Sequence, residues 1–273
     1  MIKTAFTNRS LNFLNIHFIL QNFSESIGNV FIGVYFYKLG IPLWIIFLVC
    51  GSVFLLNIPT RFLSIRLCQK FGLRYALIFG SILYAMQYLV LGLVEGVNIW
   101  LFVFVIASAV ATTFYTLSYH TYFTLLGDTS VRGKQLGIRQ AGTIIAGLLA
   151  PISSGIIVSF FGFFAAFVTA SICMLIAILP VLIISDISLP KSISFKKALK
   201  EVNKTGFALE FPNAFQAQAN RFTWALVLFL FVGDYVYFGG ILSLAILFEI
   251  IGFFIVGNIF DNGGGITLSV SRR

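Results

Sequence analysis

Charge is what this sequence has least of. Asp, Glu, Lys and Arg together make up 10% of the 273 residues, against roughly a quarter in a soluble domain whose surface must face water. The nine acidic residues are scattered singly, and histidine occurs only at His17 and His120. No H-E-x-x-H spacing and no Asp-rich metal motif can be built from that set. An intramembrane protease or lipid transferase would need clustered catalytic groups, so this alternative is set aside. No cofactor and no metal site are expected. Cys50, Cys68 and Cys173 lie in or beside apolar stretches without paired spacing. They read as small buried hydrophobes rather than a disulfide or metal set. A cleavable signal peptide is also missing: the segment after Lys3 and Arg9 carries Gln21, Asn22 and Glu25 and has no small-residue cleavage site.

What the chain has instead is apolar length. Hydrophobic residues make up 59%, 32 of them Phe, and the mean hydropathy is +1.00. Crossing roughly 30 Å of hydrocarbon takes about 20 mostly apolar residues in a helix. Eight segments qualify: 11–37, 42–64, 74–94, 98–125, 138–160, 162–185, 208–231 and 236–258. Short breaks separate several of them, at Gly40-Ile41-Pro42, Glu95 to Asn98, Phe161-Gly162 and Gly233-Asp234. The expected architecture is an all-α integral membrane protein of about eight transmembrane helices. Lys and Arg set orientation, because cytoplasmic loops carry their excess. With the N-terminus inside, 16 of the 18 basic residues fall on the cytoplasmic side. Only Lys38 falls outside, and Arg221 lies within the seventh segment. Both termini are therefore expected in the cytoplasm, with the bilayer as partner of a multi-pass protein of the cell membrane. The net charge of +9 then needs no nucleic acid to explain it.

Residues 191–206 form the only long polar stretch. Phe195, Leu199 and Val202 recur at helical spacing opposite a lysine-rich face. This predicts a linker helix on the anionic inner leaflet, with a regulatory partner site as the lesser alternative. The expected division is a six-helix bundle over 1–190, this basic loop over 191–206, and helices seven and eight over 207–273. The seventh and eighth segments echo the first and second at an offset of 192 residues. Gln21 maps to Asn213, Ser24 to Gln216 and Gly28 to Asn220, and the turn Ile65–Gly72 maps to Gly257–Gly264. A repeated unit in the same sense points to two parallel units about an axis along the membrane normal.

On these residues the chain resembles the major facilitator superfamily of secondary transporters. That family repeats G-x-x-x-D-R-x-G-x-[RK] between the second and third helices of each half. The second copy here keeps Gly257, Asp261 and Gly264, with Asn262 in place of Arg. The first keeps Lys70, Gly72 and Arg74, with Ile65 and Gln69 where Gly and Asp are expected. The resemblance implies that these positions form a conformational gate. Gly127-Asp128 followed by Arg132-Gly133-Lys134 also looks like the family. The run Ala150-Pro151-Ile152-Ser153-Ser154-Gly155 is similar to a degraded antiporter motif. Its direct reading is close helix packing at small residues and a bend at Pro151.

The resemblance also implies a central cavity lined by the first and fourth helices of each half. On the first helix His17, Gln21, Ser24 and Gly28 share a face, with Glu25 at its flank. On the fourth, Thr112, Tyr115, Tyr119 and Tyr122 recur at helical spacing; on the seventh, Asn213, Gln216 and Asn220 do so beside Arg221. A charge at the centre of a membrane helix costs roughly 2.5–3.5 kcal/mol on insertion scales. Glu25 and Arg221 are therefore expected to face a wet cavity or partners. Glu25 is the candidate coupling group for a proton or cation, against a purely structural helix–helix hydrogen bond. Arg221 pairs with either a solute anion or an internal carboxylate, and Glu249 is expected to face a neighbouring helix. These stripes suit a small polar organic solute moved by alternating access. A competing expectation is an incomplete, inactive transporter, or a part that self-associates or needs a second chain, because two full units at this offset would need about twice the length.

Overall fold

The computed structural model describes residues 8–127, 132–188 and 224–261. No strand occurs among them. Asn8 caps the first helix, α1 (Arg9–Asn29): its Oδ1 accepts from the Leu11 N–H at 3.0 Å. Its Nδ2 donates to the Leu126 carbonyl, tying the helix start to the end of a later one. Gly28 and Asn29, both poor helix formers, end α1, and a short α2 (Ile32–Lys38) follows a turn at Val30 and Phe31. The single segment expected over 11–37 is thus two helices. Pro42 caps α3 (Leu43–Phe71) where its missing N–H costs nothing. α4 is Leu73–Leu91, and Asn98 caps α5 (Ile99–Leu126) through its side chain. α6 runs Arg132–Val181, α7 covers 224–232 of the described residues, and α8 is Tyr235–Asp261. Asp234 caps α8 by accepting from the Val236 and Tyr237 N–H groups.

The 50 residues of α6 would span about 75 Å if straight, over twice the hydrocarbon thickness. They do not run straight. Gly162, at φ 82° and ψ 172°, breaks the helix into two arms, at the predicted position. α1 lies in the cleft between the arms. From His17 to Ser24 it meets the second arm from Ala177 back to Ala170, antiparallel. On its other side Ile19 lies against Gly142 and the Ile27 carbonyl accepts from Ser154 Oγ, so it runs parallel to the first arm. α4 packs on α5 and α6, α3 packs on α5, and α8 packs on α6. Large apolar side chains cover the outer faces, with Trp44, Phe160 and Phe231 among the most exposed. That is how a bundle looks when its solvent is lipid. Among the described residues, four helices (α3, α4, α5 and α6) are each long and apolar enough to cross a membrane.

The segment expected to end near residue 64 continues to Phe71, so Arg66 and Lys70 are helical rather than part of a loop. Between residue 64 and Gly72 no Gly or Pro interrupts α3. Long basic side chains near a helix end reach the interface without unwinding it. Gly72 itself, at φ 91°, makes the turn into α4. A Cβ there would come within 1.9 Å of the Asp186 carboxylate. Asp186 Oδ1 accepts from the Arg74 N–H at 2.9 Å, and Arg74 Nη1 donates to the Ile184 carbonyl at 3.2 Å. The turn at Gly72 and Arg74 therefore docks on the chain just beyond the second arm of α6.

The first residues of α3 and α8, Leu43 and Tyr235, are 192 positions apart, which is the offset of the sequence repeat. α8 meets the first arm of α6 at backbone contact distance. A Cβ on Gly239 would lie 2.3 Å from the Pro151 carbonyl oxygen, and one on Gly155 would lie 2.4 Å from that of Tyr235. The small-residue run on α6 is thus a packing seam, as its direct reading required.

Gly72→Ala is expected to lower the melting temperature of the detergent-solubilised chain, because positive φ and the Asp186 contact both oppose it. A cost of about 1–3 kcal/mol is the ordinary range for such strain. Gly51→Ala is the control: it sits in α3 with nothing within 4 Å, and should leave the melt unchanged or raise it.

Candidate solute cavity

Two faces of α1 carry polar side chains, and they have different surroundings. His17 and Ser24 are fully buried against the second arm of α6. His17 Nδ1 lies 2.6 Å from the Ala177 carbonyl, which fixes that nitrogen as the protonated one, and Ser24 Oγ donates to the Ala170 carbonyl at 2.7 Å. Gly28 lies against the Tyr88 ring. These residues hold the bundle together. The other face carries Asn22, Glu25 and Asn29 and borders open space.

Glu25 is gripped along its own helix. Gln21 Nε2 donates to Oε2 at 2.7 Å and Asn29 Nδ2 donates to Oε1 at 3.1 Å, each one turn away. Asn22 Nδ2 donates to Gln21 Oε1 at 2.9 Å, and the Tyr88 hydroxyl on α4 donates to Asn29 Oδ1 at 3.3 Å.

The same carboxyl borders two cavities. One, of about 470 Å³, lies between α1, the first arm of α6, α7 and α8; Pro151, Trp224 and Glu249 form much of its wall. The other, of about 480 Å³, lies between α1, α3, α4 and α5. Its polar wall comprises Gln21, Asn57, Arg61, Thr112, Tyr115 and His120. Both volumes lie in the range of small-molecule sites. Asn57 and Thr60 on α3 form a hydrogen-bonded cluster with Thr113 on α5 beside Pro59. That cluster ties α3 to α5 at the floor of the second cavity.

The tyrosine stripe on α5 divides in the same way. Tyr115 lines the second cavity, and its buried hydroxyl has no hydrogen-bond partner. Tyr119 stacks on Phe18 at 4.3 Å between centroids, inside the bundle. The Tyr122 hydroxyl donates to the Ser185 carbonyl, next to the Asp186 dock. Gln69 and Lys70 end α3, with Lys70 Nζ over the Phe71 ring. Asn213, Gln216, Asn220, Arg221 and Gly264 lie outside the described residues, and Gly257 and Asp261 are described only as helical backbone.

Two residues that the sequence did not single out matter here. Asp186 accepts from the Arg74 backbone N–H, and nothing in its spacing from Arg74 announces it. Arg139, on the first arm of α6, places its guanidinium between the Phe18 and Phe123 rings, at 5.0 and 4.7 Å from their centroids. Such a clamp attracts the cation by roughly 0.5–2 kcal/mol.

Hydroxyl removal separates the two kinds of tyrosine. Tyr115→Phe deletes a group without a partner and should leave thermal stability unchanged or raised. Tyr35→Phe deletes a hydroxyl that donates to the Val94 carbonyl at 2.6 Å; it should cost about 1 kcal/mol, read as a lower melting temperature.

The family model that matches residues 7–270 is that of the Major Facilitator Superfamily. Among solved structures, the in meso crystal structure of the POT family transporter PepTSo is similar at a TM-score of 0.58 and 14% identity, covering 90% of this chain and 52% of that chain. A peptide transporter POT in complex with sulfate matches at 0.57 and 15%, covering 94% and 53%. A POT family transporter in complex with 5-aminolevulinic acid matches at 0.52 and 18%, covering 83% and 51%. The chain spans about half the length of these structures, and at such identities the likeness is one of fold. No curated protein matches. The family match covers nearly the whole chain and agrees with the helical bundle and the repeated unit: the chain belongs to the Major Facilitator Superfamily, a family of membrane transporters.

Proposed function

We propose that the protein is a secondary active transporter that moves a small organic solute by alternating access, with Glu25 as the group that couples movement to a proton or cation. One observation carries this reading above the others. Glu25 stands in the wall of both cavities, one enclosed by the first unit and one shared with α7 and α8. A charge inside a membrane bundle is costly and tends to mark a pathway. Gln21, Asn22 and Asn29 orient the carboxyl, and Tyr115, Arg61 and His120 supply further polar groups for a solute. The chain is read as a multi-pass protein of the cell membrane with both termini in the cytoplasm, on the distribution of Lys and Arg. Under the same reading residues 1–190 and 207–273 are the first unit and part of a second, joined by the basic stretch 191–206.

A second reading starts from the cavity shared with α7 and α8, whose wall includes an exposed carboxyl. In this reading a further chain, or a second copy of this one, completes that cavity, and this chain alone is inactive. Glu249, exposed in the wall of that cavity, is then covered by the added helices.

The test is uptake by proteoliposomes holding the purified chain under an imposed pH gradient, against a panel of small organic solutes. The first reading expects gradient-driven uptake that Glu25→Gln abolishes. Gradient-driven uptake that survives Glu25→Gln would remove Glu25 as the coupling group. Absence of uptake by the chain alone, restored on co-reconstitution with a second chain, would favour the second reading.

A further inference from the structure

Five aromatic rings gather at one end of the cavity shared with α7 and α8. Phe31 stands at the turn into α2, Phe163 starts the second arm of α6, Phe229 is on α7, and Tyr235 and Phe238 are in the first turn of α8. Phe31 meets Phe163, Tyr235 and Phe238 with centroids 6.2, 5.9 and 5.1 Å apart. Phe229 stacks on Tyr235 at 5.2 Å and 15°, and meets Phe238 edge-on at 5.7 Å and 86°. Stacked and edge-to-face pairs of this kind are the ones that ring quadrupoles favour. Phe31 and Phe238 are fully buried and Phe229 nearly so, in an apolar cluster separate from the main core.

The place of the cluster along its helices gives it a role. Val30, Ala225 and Leu242 pack at the margin of the rings and also line the cavity. Phe31 directly follows Val30, Phe229 is one turn beyond Ala225, and Phe238 is one turn before Leu242. α1 and α7 run toward Lys38 and Gly233 while α8 runs back from Asp234, so the rings all lie on the Lys38 side of the cavity. By the distribution of Lys and Arg that side is the outer one. Within the cavity the same helices stand apart around about 470 Å³; at the rings they meet side chain to side chain. Lys38, the one basic residue that the charge distribution leaves outside, holds its Nζ 5.7 Å from the Phe229 centroid and so ties the end of α2 to α7.

We propose that these rings are an apolar plug that closes the cavity on its outer side, with Lys38 as a latch on Phe229. A polar solute or an ion passing that way would have to shed water among apolar rings. The plug rests on the transporter reading for its use and on the topology for the word outer, but its test needs neither flux nor a known solute. It assigns a role to Lys38, which the charge count only set apart.

The test is the rate at which a charged, membrane-impermeant thiol reagent labels single cysteines in intact cells, with Cys50, Cys68 and Cys173 replaced. Ser26→Cys reports from the cavity wall, and Val97→Cys, 55% exposed in the turn between α4 and α5, reports the outer surface. Val97→Cys should label at least about tenfold faster than Ser26→Cys. Phe229→Ala should then speed labelling of Ser26→Cys by about tenfold or more. Lys38→Met should speed it about two- to fivefold, the scale of one exposed cation–π contact, and Lys38→Arg should not. Phe114→Ala removes a ring just as buried, packed against Phe79 in the first six helices; it should leave the rate unchanged, which separates an opened plug from general loosening. A melting curve checks that each variant folds, and Phe229→Leu replaces Phe229→Ala if that variant does not. Ser26→Cys labelling as fast as Val97→Cys, no effect at Phe229, or an equal effect of Phe114→Ala would each overturn the plug; no effect of Lys38→Met would overturn the latch. If Val97→Cys labels only after permeabilisation, the topology fails and the outer plug with it. If the rates respond as stated and proteoliposomes show no flux, the transporter reading fails and the plug stands.

Discussion

A helix with many polar side chains inside a bilayer must either hide each of them against another helix or keep it in contact with water, since hydrocarbon satisfies none of them. α1 does both, on adjoining faces, and the rest of the bundle is arranged around that division. Its packed face hands His17 and Ser24 to backbone carbonyls of the second arm of α6 and receives Ser154 from the first. Its wet face holds Glu25 between Gln21 and Asn29 and opens on two cavities. The hairpin at Gly162 supplies the two walls between which α1 sits. Without that reversal the packed face would have one partner rather than two, and the orientation of the carboxyl would not be set.

Local chemistry explains why much of this fold was legible in the sequence. Gly40-Ile41-Pro42, Asn98, Gly162 and Gly233-Asp234 terminate or start helices by conformations and caps that belong to those residue types wherever they occur. The repeat was legible for the same reason: similar breaks recur at one offset, and the helix starts at Leu43 and Tyr235 keep it. Long-range partners were not legible. Helical periodicity places His17, Gln21, Ser24 and Gly28 on one face but does not say whether that face meets a helix or a cavity. The answer depends on α6, more than a hundred residues away. Asp186 and Arg139 have the same character. Their roles come from Gly72, Arg74, Phe18 and Phe123, which only the tertiary fold brings near.

The seam between α6 and α8 shows how the helix after Asp234 attaches to the helices before it. Gly155 and Gly239 let the backbones meet with no side chain between them, in surroundings where helix association depends on close packing more than on exclusion of water. Pro151 contributes its carbonyl to that seam and also lines the cavity shared with α8. A shift of α8 along the seam would therefore change the space beside Glu25.

The division of α1 into a packed face and a wet face is the claim on which the cavity and the role of Glu25 both depend. Its most direct test is a cysteine scan of α1, in a background where Cys50, Cys68 and Cys173 are replaced, using a charged thiol reagent that does not cross membranes. The account predicts modification at Asn22→Cys, Glu25→Cys and Asn29→Cys and protection at His17→Cys, Ser24→Cys and Ile27→Cys. Labelling of the His17 and Ser24 face, with protection at Glu25, would contradict it.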